Sequence, residues 1–450
     1  MGLQQVNILI LGGGISGLCI GYRLKQLGIS FQLLEATPAV GGKIQTHHEG
    51  SYQLENGPNS LMLKPGPIMD LIEDLGLGPK IVYPAQSRPA RYICDGSRLH
   101  KITPFSLLTY LGFTTSLRLL AGGYSAAAIG EESVSDFFNR KFGSNMVDKL
   151  VSPFVSGIYA GDVEKLIMSK AFPRVWDMDQ RHNSFWPALI LGAFKDQKKG
   201  RLKSGIMTFQ SGLEELTNKL FALLSESIQL NSEVLNVHYE QGQWEVKTTQ
   251  AQYKTTHLIS ALPAPIFSKL LVQDDFRDLR SHLEKLSYPW LRVLHVAYPK
   301  KDITTPVEGF GFLNMPSAKL PFLGCLYSSQ LFPHRSSASE ICFTIFVGGE
   351  KRQDLMNSNI EELLIQIHEK LQLFLKFRSN SPKLLGFRDW RHSIPQYDYS
   401  QQQLETFLKV FEPCRFGMHL GSNFLGGVSI PQCVESSFRI AEKLEKILKG

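Results

Sequence analysis

An α/β fold divided into more than one domain is what the sequence predicts, and three observations predict it. Residues 6–35 run apolar strand, glycine turn, helix, strand, the order of a βαβ unit. At 450 residues the chain exceeds one core of usual size, and roughly 150 residues per domain gives about two or three. Strand-like runs at 290–299, 307–313, 322–328 and 341–347, followed by a helical pattern near 360–375, then predict a second, mainly β region.

Each element follows from its residues. VNILIL is an apolar strand, CIGYRLKQLGI carries apolar residues at helical spacing, and SFQLLE closes the unit. Gly, Pro and polar turn formers crowd 37–66, which predicts loop with short strands; 67–78 returns to a helical pattern. The most apolar stretch is 104–129. Arg118 lies inside it and Gly112, Gly122 and Gly123 interrupt it, and a central Arg costs about 2.5–3.5 kcal/mol in a membrane span, so it reads as interfacial or core helices. A helix at 213–224, two strands around a turn at Gln241 and Gly242, and a buried strand in HLISALPAP come next. The chain ends in strand, glycine loop and a helix with Val434, Phe438, Ala441, Leu444 and Leu448 on one face.

Composition removes several classes. With 43% apolar and 20% charged residues, neither a disordered chain nor a membrane channel fits. The net charge of +7 is spread without basic runs, which argues against nucleic acid and leaves an anionic small molecule or an anionic surface. Six cysteines form no CxxC pair, so they read as reduced, buried thiols with no metal site and no disulfide framework. No basic segment leads a hydrophobic run at the N-terminus, which predicts a cytoplasmic protein.

The chemistry begins at GxGxxG. Gly12 permits a tight turn, Gly14 lets the backbone approach a pyrophosphate, and Gly17 lets helix pack on strand. Backbone amides over Gly12, Gly13, Gly14, Ile15, Ser16 and Gly17 would face phosphates at a helix start, where the helix dipole also favours negative charge. Glu35, with Ala36 beside it, ends the second strand and suits the hydroxyls of an adenosine ribose. FAD and NAD share that half, so the motif leaves both open.

GGKIQT at 41–46 and LENGPNS at 54–60 follow in an order that resembles the flavoprotein superfamily of amine oxidases and protoporphyrinogen oxidases. SPFVSGIYAGD, TFQSGLEEL, VEGFGFL, LGCLYSS, FTIFVGG, IPQY and GSNFLGGVSIPQCVES extend the likeness to its protoporphyrinogen oxidase branch. The resemblance implies FAD, held in a Rossmann-like domain beside a mixed α+β substrate domain and a helical membrane-facing subdomain. It divides the chain into FAD-binding parts at 1–88, 204–265 and 406–450, a helical subdomain at 89–203 and a substrate domain at 266–405. Gly42 and Lys43 would line the pyrophosphate, where Lys offers charge without the planar fork of Arg. Gly57, Pro58, Asn59, Ser60 and Trp390 would border the cofactor, Val234 would meet the adenine, and Val428, Ser429 and Ile430 would lie under the flavin ring.

The same resemblance implies a porphyrinogen substrate losing six electrons in three rounds of hydride transfer to flavin N5, with molecular oxygen as acceptor. Arg91 would pair with a propionate, Leu313, Leu326 and Phe346 would sandwich the macrocycle, and Gly157 would leave room beside it; plain core packing is the competing account of the three apolar residues. Asn59 is either a polar partner of the pyrrole nitrogens or a turn residue. His47, His48 and His392 read as surface or satisfied histidines. Three rivals stay open: a flavin amine oxidase, a coproporphyrinogen III oxidase, and a flavin- or porphyrin-binding protein without turnover. A peripheral membrane contact through 104–129 is expected, and a homodimer is one assembly left open.

Overall fold

The computed structural model describes residues 2–123, 130–182, 202–378 and 381–449. Among these residues the strands form two seven-stranded sheets, with smaller sheets of two and three strands between them in the chain. Leu3–Leu11 lies inside the first large sheet, parallel to Gln32–Leu34 on one side and Gln252–Ser260 on the other. Its alternation is read out on two faces. Ile8 and Ile10 enter a core with helices Ile15–Gln26, Glu214–Leu224 and Ile430–Lys449, while Leu9 and Leu11 enter another with Trp244, Phe267 and Phe276. Burial on both sides is why this strand is apolar throughout its second half.

Ile228–Gln229 and Met418–Leu420 extend the parallel set, and Val234–Glu240 and Gln243–Thr248 add an antiparallel hairpin. The turn of that hairpin falls where the sequence predicts it, with Gln241 at φ 50° and Gly242 at φ 80°, the pair of positive angles a two-residue turn needs.

The second large sheet runs Lys383–Trp390, Leu291–Pro299, Glu340–Gly348, Gly324–Leu326, Gly311–Asn314, Arg91–Cys94, Leu99–Lys101. Period-two alternation splits it. Phe312, Cys325, Phe343 and Ile345 are fully buried in a core shared with Leu363, Ile367 and Leu371 of helix Ile360–Leu375. On the opposite face, Ala297 and Cys342 pack against Tyr52 and Leu54 of the hairpin Thr46–Glu49/Tyr52–Glu55, so that face is turned toward the first half of the molecule.

Helices from Pro104–Leu111 to Pro173–His182 form a third region whose core includes Phe137, Val151, Val155 and Leu166. Within the apolar stretch, Pro104–Leu111 starts from a capping box of Thr103 and Ser106, and Gly112 separates it from Phe113–Leu120; residues 124–129 lie outside the described residues. No described helix is long and apolar enough to cross a membrane.

Two expectations need correction. Arg91–Cys94 and Leu99–Lys101 belong to the second sheet, so the helical region begins at Pro104; strands this short carry too little alternation to be read from sequence. Leu448 is exposed, because the buried face of the last helix ends at Leu444 and residues 446–449 are all exposed.

Candidate active site

Gly12 adopts φ 102° and donates its amide to Leu34 O at 2.9 Å, which turns the chain off the first strand. A Cβ on Gly17 would collide with Gly12 O, so helix and turn can meet this closely only through glycine. The helix then starts at Ile15 without a side-chain cap, leaving its first amides open, while Ser16 O accepts from the buried Ser437 Oγ at 3.1 Å and ties in the last helix.

A second glycine backbone crosses the turn. Gly41 N donates to Gly13 O at 2.8 Å, and a Cβ on Gly42 would stand 3.2 Å from Gly14 Cα. Glu35 is preset: Oε2 accepts from Gly13 N at 2.7 Å, and Oε1 accepts from Thr37 N at 2.9 Å and Thr37 Oγ1 at 2.7 Å. Ala36 is exposed beside it, and Val234 packs against the core at the start of its strand.

Lys43 is buried beside the glycine crossing. Its Nζ lies 5.8 Å over the ring of Tyr288, and burial pushes the ammonium down to about 8, with Cys433 acting slightly the other way. A Cβ on Gly57 would collide with Lys43 O, so the loop 57–60 lies directly on this segment. Pro58, Asn59 and Ser60 are half-buried there, and Trp390 Nε1 donates to Asn56 O at 2.6 Å, pinning the second sheet to the loop. At the last helix, Gln432 Oε1 accepts from Ser429 N at 3.2 Å and Ser429 Oγ at 2.7 Å just before Ile430; Val428 packs against the core of the helical region.

The residues expected to meet the substrate come together on the sheet face turned toward this loop. Cross-strand register aligns Leu313, Gly324 and Phe346 in one row and Arg91, Gly311, Leu326 and Thr344 in the next. Leu313, Leu326 and Phe346 are half-buried, whereas their neighbours Phe312, Cys325 and Ile345 are fully buried on the reverse face. They are therefore outside the main core of the sheet. Arg91 is exposed with its guanidinium 5.6 Å from the ring of Phe310, and a Cβ on Gly157 would collide with Leu313 Cδ2.

One cluster escapes sequence reasoning. Arg335, 1% exposed, reaches from the turn Pro333–Arg335 to Asn59 and Glu55, the latter also 1% exposed. Burial raises the Glu55 carboxyl, with Arg335 and the Leu213 amide opposing, and burial lowers Arg335, with Glu55 opposing. An arginine in the polar run PHRSS gives no signal of burial; only the strand pattern on either side could have hinted at it. Among the described residues no cluster of His, Cys, Asp and Glu could hold a metal ion.

Residues 15–444 match the family of flavin containing amine oxidoreductases. The chain belongs to that family. The chain also resembles curated proteins at modest identity: protoporphyrinogen oxidase 1, chloroplastic, of Arabidopsis thaliana is 28% identical, covering 98% of this chain and 88% of the relative. Coproporphyrinogen III oxidase of Bacillus subtilis (strain 168) is 24% identical, covering 95% of this chain and 96% of the relative. A crystal structure from Exiguobacterium sp. 255-15, provisionally named a protoporphyrinogen oxidase, superposes with a TM-score of 0.82 at 22% identity, covering 99% of this chain and all of that one, which shows the same fold.

As a flavin containing amine oxidoreductase the chain is an oxidoreductase with FAD as its cofactor. The cradle fits that group. Two glycine backbones with no room for side chains, an uncapped helix start and a preset carboxylate supply close approach, amide donors and a ribose acceptor.

Proposed function

We propose that this flavoprotein oxidises a porphyrinogen to the porphyrin, with protoporphyrinogen IX as the substrate. The observation that carries the reading is the half-buried apolar face of Leu313, Leu326 and Phe346, with Arg91 in register at its edge and Gly157 against Leu313. A flat apolar macrocycle placed on such a face gains about 25 cal/mol per Å² of apolar surface removed from water. Arg91 has no carboxylate partner among the described ion pairs, and its fork suits a propionate.

Gly12 to Gly17, Glu35, Gly42, Lys43, Gly57 to Ser60, Val234, Trp390 and Val428 to Ile430 would hold FAD. Bound there, FAD supplies the two-electron acceptor, used three times for six electrons, and molecular oxygen is the final oxidant. The chain's own part is to orient the macrocycle and exclude water from its methylene bridges. In this division 1–88, 204–265 and 406–450 would serve the cofactor, and 266–405 together with the strands Arg91–Cys94 and Leu99–Lys101 would serve the substrate.

Anaerobic addition of protoporphyrinogen IX to the purified yellow protein should bleach its visible absorption, and air should then yield porphyrin fluorescence. Bleaching by amines with neither porphyrinogen active would overturn the reading. The Bacillus subtilis relative's name supports coproporphyrinogen III as a second substrate, and the ratio of the two rates decides between them.

The helical region would rest on a membrane surface. Phe105 and Phe113 are 87% and 83% exposed, and Leu117, Phe154 and Ile158 are exposed on neighbouring helices. Flotation with anionic liposomes tests this; protein that stays wholly in the soluble fraction would refute it.

A further inference from the structure

Asn59 lies between strands Tyr52–Glu55 and Leu61–Leu63, in the loop assigned above to the flavin border. Arg335 reaches it from the turn Pro333–Arg335, 276 residues away in the chain. Its Nη1 donates to Asn59 Oδ1 at 2.6 Å and its Nη2 to the Asn59 carbonyl at 2.7 Å, with longer contacts to Thr208 Oγ1 at 3.2 Å and Glu55 Oε1 at 3.4 Å. The ring of Phe332 lies 4.5 Å beneath the guanidinium. Glu55 is held in turn by Leu213 N at 3.0 Å and Thr46 Oγ1 at 2.9 Å.

A guanidinium has donors only, so the carboxamide of Asn59 must face it with oxygen. That settles which way the amide points. Its Nδ2 is then turned away from Arg335, buried, and without an acceptor among the described residues, as is Arg335 Nε. Buried donors are ordinarily paired, so an unpaired one beside a cofactor loop marks a place where an acceptor is received. The pyrrole N–H groups of a porphyrinogen are donors as well, and two donors cannot pair.

We propose that Arg335 is a positioning residue: by occupying Oδ1 it leaves Asn59 only its N–H to offer, so Asn59 donates to an acceptor atom at the flavin edge and does not accept from the substrate's pyrroles. This rests on the reading of 57–60 as the flavin-bordering loop. It gives the buried Arg335–Glu55 pair a purpose besides stability, since Glu55 holds the guanidinium whose orientation sets the amide.

The test uses the FAD-loaded full chain. Asn59→Ala and the pair Arg335→Met with Glu55→Gln, which leaves no buried carboxylate unpaired, should shift the visible flavin maxima in the same direction. Both should lower kcat about tenfold or more while KM stays within about twofold, and the triple variant should go no further than Asn59→Ala alone. A pair variant with the wild-type spectrum and kcat would overturn the proposal by making Arg335 merely structural; an effect of Asn59→Ala on KM alone would overturn it by moving Asn59 to the substrate. Should the pair variant fail to fold, Asn59→Asp keeps the partner of Arg335 and removes the donor: it should behave as Asn59→Ala, and a wild-type spectrum would refute the assignment. The spectrum needs no porphyrinogen, so a protein inactive on both porphyrinogens would sink the proposed function while the donor assignment is still decided.

Discussion

The expected cofactor cradle and the proposed substrate face are built from different materials. Around Gly17, Gly42 and Gly57 the fit is made by backbone, and the Cβ of any other residue would press on a carbonyl or a neighbouring Cα. On the second sheet the face is made by side chains, Leu313, Leu326 and Phe346, and Gly157 approaches it against the side chain of Leu313. Backbone sites tolerate almost nothing and side-chain sites tolerate repacking, so the two regions should fail in different ways.

The largest effect is expected in the cradle. Gly17→Ala drives a Cβ into Gly12 O, which neither helix nor turn can relieve, and should cost about 3 kcal/mol or more and yield colourless protein. Flavin absorbance per mole of purified protein is the measurement.

Next comes a comparison of the two sheets in acid. Burial pushes His419, in the cofactor sheet, down to about 4, helped by His257 and Lys443; burial pushes His295, in the substrate sheet, down to about 3, helped by Arg335 and His47. Both are neutral in the fold and bind protons in the unfolded chain below about 6.5, so the stability they give is present above that pH and is lost as pH falls through it toward the folded values. Between pH 6.5 and 5 each should cost about 2 kcal/mol. Urea unfolding at pH 7 and 5 measures the loss, and His419→Asn should remove one share of it; an unchanged difference would show that His419 is not the responsive group.

A smaller effect is expected on the substrate face. Gly157→Ala meets Leu313 Cδ2, the far end of a flexible side chain, so the protein should keep its flavin while kcat/KM for the porphyrinogen falls roughly tenfold, about 1–2 kcal/mol. Steady-state fluorescence with flavin content as control would separate this from unfolding. Smallest of all, Phe105→Ser with Phe113→Ser should leave unfolding within about 0.5 kcal/mol and reduce recovery with anionic liposomes.

How much of this was legible follows from the same contrast. GxGxxG and Glu35 announce themselves because a backbone-built site restricts residue type at fixed spacing, and the structure gives both a geometric reason in the Gly17 approach and the Gly13 amide held by Glu35. The strands at 291–299 and 340–348 are long enough for alternation to appear, whereas Arg91–Cys94 hides its membership of the same sheet in four residues. Leu313 could not be told from core by hydrophobicity, since Phe312 next to it is core; only the register across strands separates them. Arg335 was invisible for a different reason. Its burial depends on Glu55 and Asn59, far away in the chain, and no local pattern encodes a partner at that distance.

The interleaving of strands also dictates how the polypeptide can be made. Leu3–Leu11 finds a neighbour in Gln252–Ser260, Arg91–Cys94 finds one in Gly311–Asn314, and Met418–Leu420 joins last. Neither large sheet can close while the C-terminal portion is still in the ribosome, so the early segments must wait with apolar edges unpaired. Expressing either half alone should give aggregate, and a chaperone that shelters the first hundred residues would serve this chain better than one acting after release.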